Sequence, residues 1–153
     1  MAKAKTLNYD IPYVPSSDQS TGLMIKLANI RPGEKAVDLG AGEGKLVVAM
    51  ARAGARAIGI EIDKERAEQS RLAILAAGLS ERARILNATF WNHDLGPYDL
   101  IVLYGVPSIM SRLEKKILTE ARPTSRIVSN YFQFPNLLLA KSIDHIHLYR
   151  PFV

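Results

Sequence analysis

The chain contains no cysteine in 153 residues. That excludes disulfides, thiolate zinc sites and any reaction that needs a cysteine nucleophile, including the usual attack on pyrimidine C5. It has a single tryptophan and few aromatics, at 7% of residues. No apolar run approaches the length of a membrane span. The opening residues MAKAKTLNYDIP lack the apolar stretch of an export signal, so the cytoplasm is the expected compartment. Acidic residues are outnumbered, 15 against 20 Lys and Arg, for a net charge of +5. From 121 to 153 the bases Arg122, Arg126, Lys141 and Arg150 face only Asp144, but they are scattered along the sequence. A solvated surface is the expected meaning, with a nucleic-acid face as the second reading.

What is present centres on VDLGAGEG, from Val37 to Gly44. Apolar residues end in Gly40, Gly42 and Gly44 and pass directly into KLVVAMARA, the pattern of a strand, a tight loop and a helix. Glycines let a ligand rest against the main chain, and a helix start offers unpaired N–H donors. A dinucleotide loop reads GxGxxG and lays a pyrophosphate on that helix terminus. Here the spacing is GxGxG, with Glu43 inside and Asp38 at the strand end. Acids repel a pyrophosphate and suit a cationic sulfonium with an amino-acid tail, so S-adenosylmethionine is the expected cofactor. The next apolar run, AIGIE, ends in Glu61, seventeen residues past Gly44. A carboxylate there can accept both hydroxyls of a ribose; alternatively it begins the helix that follows.

Around this centre the chain reads as one α/β domain. Residues 1–17 form an expected extended lead, with Tyr9, Tyr13, Pro12 and Pro15, and residues 18–153 form the domain proper. Ser16, Ser17 or Asp18 caps a first helix that Pro32 and Gly33 follow. A longer helix runs from Asp63 to Ala77, and ARIL, closed by Asn87, is the third strand. Trp91 covers a ligand or seals the sheet edge, and His93 is expected to be exposed. DLIVLY, ending in Tyr104, has the composition of a strand buried on both faces. Ser108 is the expected cap of the next helix, whose LEKK charges read as a solvated face. SRIVSNYF is the fifth strand, and LLLAKSIDHIHLYRPFV a closing pair of edge strands. His145 and His147 fall two apart on one of them, a spacing metals use, but no carboxylates cluster nearby and no metal is expected. Alternation of strand and helix predicts a doubly wound parallel sheet, with ligands beyond the carboxyl ends of its strands.

DLGAGEG with GIE downstream resembles the first two motifs of class I S-adenosylmethionine-dependent methyltransferases. The resemblance implies a Rossmann-like sheet of seven strands in the order 3-2-1-4-5-7-6. YVPSSDQ and RIVSNYFQFP are similar to the small archaeal protein-lysine methyltransferases, and to the mitochondrial lysine methyltransferases of the ATP synthase c-subunit and the adenine nucleotide translocase. This implies that Asp38, Gly40, Ala41, Gly42 and Gly44 hold the methionyl part. It places Glu61 at the ribose, Ile62 beside it against the cofactor, and Asn87, Ala88 and Thr89 around the adenine. Tyr13 and Pro15 fold over the cofactor, and Tyr104, Asn130 and Tyr131 line the amine channel.

Base-amino methyltransferases typically carry Asn or Asp, two prolines and an aromatic after the fourth strand, where this chain has YGVP. The expected activity is therefore N-methylation of lysine on a protein with an accessible side chain. An RNA or small-molecule methyltransferase, and a non-catalytic cofactor- or nucleic-acid-binding module, are the alternatives.

Overall fold

A computed structural model describes residues 17–151. The expected N-terminal lead, including Tyr13 and Pro15, lies outside the described residues apart from Ser17. The elements alternate: α1 (Asp18–Ala28), β1 (Lys35–Leu39), α2 (Lys45–Arg52), β2 (Arg56–Glu61), α3 (Lys64–Ala76), β3 (Ala83–Asn87), β4 (Leu100–Tyr104), α4 (Pro107–Glu120), β5 (Arg126–Asn130), β6 (Leu138–Ile143) and β7 (Ile146–Arg150). A single 3-10 turn, Phe90–Asn92, follows β3. The sheet order is β3-β2-β1-β4-β5-β7-β6, with β1 to β5 parallel and β7 antiparallel to both its neighbours. This is the expected class I methyltransferase arrangement.

Two apolar layers hold the sheet. On one face α1, α2 and α3 pack Met24, Leu27, Val47, Met50, Ala67 and Ile74 against Ala36, Val102 and Val128. On the other, α4 packs Ile109, Leu113 and Ile117 against Val37, Ile60, Ile101, Leu103 and Ile127. Burial on both faces is why β1 and β4 read as almost unbroken apolar runs.

Local chemistry sets the element ends. Ser17 is the cap chosen from three candidates, its Oγ accepting from Ser20 N at 3.0 Å. Asp63 caps α3 by accepting from Arg66 N. The expected cap Ser108 lies instead inside α4: Val106 is the N-cap and Pro107 takes the first turn, where its missing N–H costs nothing. The LEKK segment is likewise not one solvated face. Glu114 is buried and accepts from Asn136 N, Leu137 N and Asn136 Nδ2 at 2.7, 2.9 and 2.8 Å, pinning the loop after β5 to α4.

His93 is half-buried rather than exposed, bonded to the Tyr98 hydroxyl at 2.6 Å. Burial, its largest influence, and then Lys116 hold its pKa below the usual histidine value. Trp91 seals the α4 side, with the Arg112 guanidinium 3.8 Å from its ring centre. His145 and His147 do not share a strand: Asp144, at φ +52°, and His145 form the turn between β6 and β7. No helix among the described residues is long and apolar enough to cross a membrane.

Candidate active site

Side chains alternate across a sheet, so pairing register fixes which of them share a face. Asp38 pairs with Gly59 and with Val102, two residues before Tyr104; Glu61 pairs with Asn87, and Tyr104 with Asn130. Asp38, Glu61, Asn87, Tyr104 and Asn130 therefore stand on the α1–α3 face, at the carboxyl ends of five adjacent parallel strands. Of the expected site residues, those from 38 to 131 come together on this rim.

The glycine loop is tied down by its own backbone. Gly40 N and Ala41 N both donate to Ile60 O at 2.9 Å, and Gly42 N donates to the Glu61 carboxylate at 2.8 Å. Gly42 O accepts from Ser70 Oγ of α3 at 2.5 Å. Gly44 is the N-cap of α2 at φ +88°, and a Cβ there would meet the Ser70 side chain at 3.0 Å. Both conditions demand glycine. Gly59 is a second such place, because α2 and the loop cross directly over it. A Cβ on Gly59 would lie 2.6 Å from Ala41 Cβ and 2.7 Å from Val47 Cγ2.

The acidity of the rim comes from buried groups. Glu43 is exposed, so its place in the loop contributes less than the sequence suggested. Asp38 is buried, and desolvation first, then the Glu61 carboxylate, push its pKa up to about 7. Glu61 serves the local structure too: its second oxygen accepts from Asp63 N at 2.9 Å and lies 3.6 Å from Arg66 Nε. Glu61 thus holds the glycine loop with one oxygen and the start of α3 with the other, so the helix-start reading is met beside a loop contact the sequence did not suggest. Asn87 Nδ2 donates to Glu61 O and Ile62 O at 2.9 and 3.1 Å, clamping the ends of β2 and β3. Ala88 N reaches Glu61 O at 3.2 Å, and Thr89 caps the 3-10 turn through Trp91 N.

Across the switch point between β1 and β4 the rim becomes aromatic. Tyr104 and Tyr131 meet edge to face with centroids 5.9 Å apart. The β5 strand ends at Asn130, short of the expected SRIVSNYF, because Tyr131 takes φ +70° and Phe132 N folds back to Asn130 O at 3.0 Å. Such a turn is strained for a residue with a Cβ, and strain of this kind gathers at working sites. It leaves Tyr131 52% exposed while Asn130 is only 1% exposed. Neither Nδ2 nor Oδ1 of Asn130 finds a hydrogen-bond partner among the described residues. A buried amide left so costs about 1–3 kcal/mol for each unmet group, which a polar ligand would recover. Burial, and then neighbouring Tyr131, raise the pKa of Tyr104, so its hydroxyl stays protonated at neutral pH.

Sequence reasoning missed four contributors. Gly59 had a signal, an isolated glycine inside an apolar strand, which marks close backbone approach. Ser70, Arg66 and His145 had none: Ser70 and His145 arrive from elements distant in sequence, and Arg66, though only five residues past Glu61, read as one charge among many on a solvated helix. His145 stacks on Tyr131 at 4.1 Å and 17°, and its Nε2 is 2.8 Å from Ser20 Oγ of α1.

Known proteins bear on this geometry. Residues 38–141 match the family model described as the ANTKMT methyltransferase domain. The ATP synthase c-subunit lysine N-methyltransferase of Xenopus laevis is 32% identical over 126 residues, which cover 82% of this chain and 55% of that protein. A protein-lysine N-methyltransferase of Saccharolobus islandicus is 26% identical over 125 residues, covering 80% of this chain and 78% of that one. Among solved structures, an RNA methyltransferase from Salinibacter ruber in complex with S-adenosyl-L-homocysteine superposes with a TM-score of 0.83 at 26% identity, covering 90% of this chain and 92% of that chain. The chain spans about half the length of the ATP synthase relatives it matches. With its loop, strand ends and sheet order in place, the chain belongs to the ANTKMT methyltransferase domain family.

Proposed function

We propose that the protein is an S-adenosylmethionine-dependent methyltransferase that N-methylates lysine side chains of protein. The observation that carries this is the shared rim: a buried acid and a glycine cradle at the ends of β1 and β2, with an orphaned amide and two tyrosines beside them on β4, β5 and the turn after β5. S-adenosylmethionine fits the donor set, and when bound it supplies an electrophilic methyl on a cationic sulfur. Asp38 would hold positive charge of its methionyl part, Glu61 its ribose hydroxyls, and Ile62, Asn87, Ala88 and Thr89 would border its adenine. The lysine-named relatives support the substrate class, and the Salinibacter structure with S-adenosyl-L-homocysteine supports the cofactor.

Alignment and the removal of one proton are what remain for the protein to provide. A free lysine has a pKa of about 10.4 and must lose its proton before it can attack. Desolvation against Tyr104 and Tyr131 would lower that value, and ring faces then favour the methylated cation. Asn130 Oδ1 would accept from the neutral amine and fix its direction; Tyr104, held protonated, is a wall and not a base.

Purified protein incubated with methyl-labelled cofactor and separate protein, RNA and metabolite fractions tests this. Label is expected on the ε-nitrogen of lysine in the protein fraction. The Salinibacter neighbour makes RNA the second reading, and label confined to RNA would establish it instead. Tyr104→Ala is expected to lower kcat/KM for a protein substrate by about tenfold or more while leaving cofactor affinity within about twofold, as loss of a substrate wall should. Unchanged turnover would remove Tyr104 from the substrate channel.

A further inference from the structure

The outermost strand on the β7 side, β6, leads to the aromatic rim. Both β5 and β6 are antiparallel to β7, so β6 climbs alongside β5, from Leu138 opposite Arg150 to Ile143 opposite Ile146. Ile146 in turn faces Asn130. The turn at the top of β6 carries the His145 ring onto Tyr131. No strand lies beyond β6 among the described residues, and Leu138 and Leu139 on it are each 46% exposed. Edge strands offer unpaired N–H and C=O groups to an extended chain.

Along β6, from Ile143 near its upper end to the level of Arg150, lies a groove of about 320 Å³ between α1 and the strands β5 to β7. Leu27 and Leu148 contribute apolar surface, and Lys26, Arg126, Lys141 and Arg150 line it, with no acid among the lining residues. Arg126 is fully engaged: its guanidinium bonds both Glu34 oxygens, at 2.9 and 2.8 Å, and Ala28 O at 2.9 Å. Lys26, Lys141 and Arg150 form no ion pair among the described residues. Of the four bases that looked scattered in sequence, Arg126, Lys141 and Arg150 are thus gathered and joined by Lys26, while Arg122 pairs with Asp99. One lysine would suffice to discourage pairing of edges. A cluster without counter-charge repels itself, and an anionic partner relieves that.

Resting on the protein-lysine reading, we infer that the substrate segment carrying the target lysine docks as an added strand along β6, with acidic side chains in this groove. Lys141 pairs with Leu148, and Arg150 with Leu138, three and five residues along β7 from the turn at His145, so at about 3.3 Å per residue the acids fall about three to five residues from the lysine at the Tyr131 end. The site suits a peptide better than RNA: no aromatic side chain lines the groove to stack a base, and the exposed leucines and open edge of neighbouring β6 match a peptide's side chains and backbone.

Two short synthetic peptides test this, each with one lysine, one bearing three glutamates at that spacing and the other serines. At low salt the acidic peptide is expected to show about tenfold higher kcat/KM, a gap that closes as salt is raised. The double variant Lys141→Glu, Arg150→Glu should lower kcat/KM of the acidic peptide by about tenfold and leave the serine peptide unchanged and the melting temperature no lower, since both side chains are exposed and repulsion within the basic cluster is removed. N-methylation of alternate backbone amides in the acidic peptide should raise its KM, as strand addition requires. Equal kcat/KM for the two peptides overturns the docking site and leaves lysine methylation standing. Transfer to neither peptide, with no difference in their binding by fluorescence anisotropy, overturns both. Displacement of the acidic peptide by an RNA oligonucleotide that binds more tightly assigns the groove to RNA instead.

Discussion

Asp38→Asn is expected to stabilise the ligand-free protein at mildly alkaline pH while removing most of its affinity for S-adenosylmethionine. The carboxyl ionises near 3.8 in an unfolded chain but holds its proton to about 7 in the fold, because burial and Glu61 both oppose its charge. Between those values the unfolded state binds fewer protons than the native one, so stability is greatest below the lower value and falls as pH rises through the window. Above it the cost is complete, at roughly 4 kcal/mol by the conversion of a pKa shift into free energy. Asparagine has no charge to desolvate. It brings an amide N–H₂ that costs about 1–3 kcal/mol where it lacks a partner, which leaves a net gain of about 1–3 kcal/mol. Urea titrations at mildly acidic and mildly alkaline pH measure this. The variant should gain on the wild type only in the alkaline series, and equal stability in both would show that Asp38 carries no buried charge.

The same carboxylate, once ionised, is the partner proposed for the cofactor's positive charge. Its removal should weaken binding by about a hundredfold, the scale of a lost buried charge partner. Wild-type affinity should fall about tenfold per unit as pH drops below about 7, because each bound cofactor must then displace a proton. The variant should show no such slope. Calorimetry with S-adenosylmethionine across this range reads both quantities. A pH slope retained in the variant would transfer the role to another acid.

How much of this the sequence disclosed follows from distance along the chain. The glycine loop, Asp38 and Glu61 were legible because each is written locally, as an apolar run that ends in a small or acidic residue. Sheet order came through the family resemblance, since alternation alone gives parallel strands but not which strands adjoin. Tyr104 could be placed at a strand end, whereas Asn130 was read inside a strand running on to Phe132, and its missing partner depends on everything packed around it. Periodicity failed at Glu114, where the helical pattern says surface and the loop at Asn136 arrives from far along the chain to cover it. It failed again at His145, which a two-residue turn removes from the strand. The basic groove was hidden for the same reason: Lys26 meets Lys141 and Arg150 only because α1 packs across β5 and β7.

Adding a single methyl at Gly59 should cost about 1–3 kcal/mol and weaken cofactor binding as well, which separates a packing contact of the loop from a mere preference of the strand. In a strand without neighbours Gly→Ala is favourable, so a loss here has to come from the space above the residue. That space is filled. The new Cβ would lie 2.6 Å from Ala41 Cβ and 2.7 Å from both Val47 Cγ2 and Ile85 Cδ1. Ile85 can turn its terminal carbon aside, whereas Ala41 and Val47 can yield only by moving backbone. Ala41 is held by its N–H to Ile60 O at 2.9 Å, and Gly42 by its N–H to Glu61 at 2.8 Å. Lifting the loop stretches both bonds, and the second of them orients the carboxylate proposed to take the ribose. The stability loss, read by urea denaturation, should therefore accompany weaker cofactor binding. Gly59→Val, with two more carbons in the same place, should exceed 3 kcal/mol by the same reasoning, so about 3 kcal/mol is a lower bound for it. A Gly59→Ala protein as stable as the wild type would mean that the loop can rise without cost, and cofactor affinity unchanged in a destabilised variant would detach Glu61 from the loop's position.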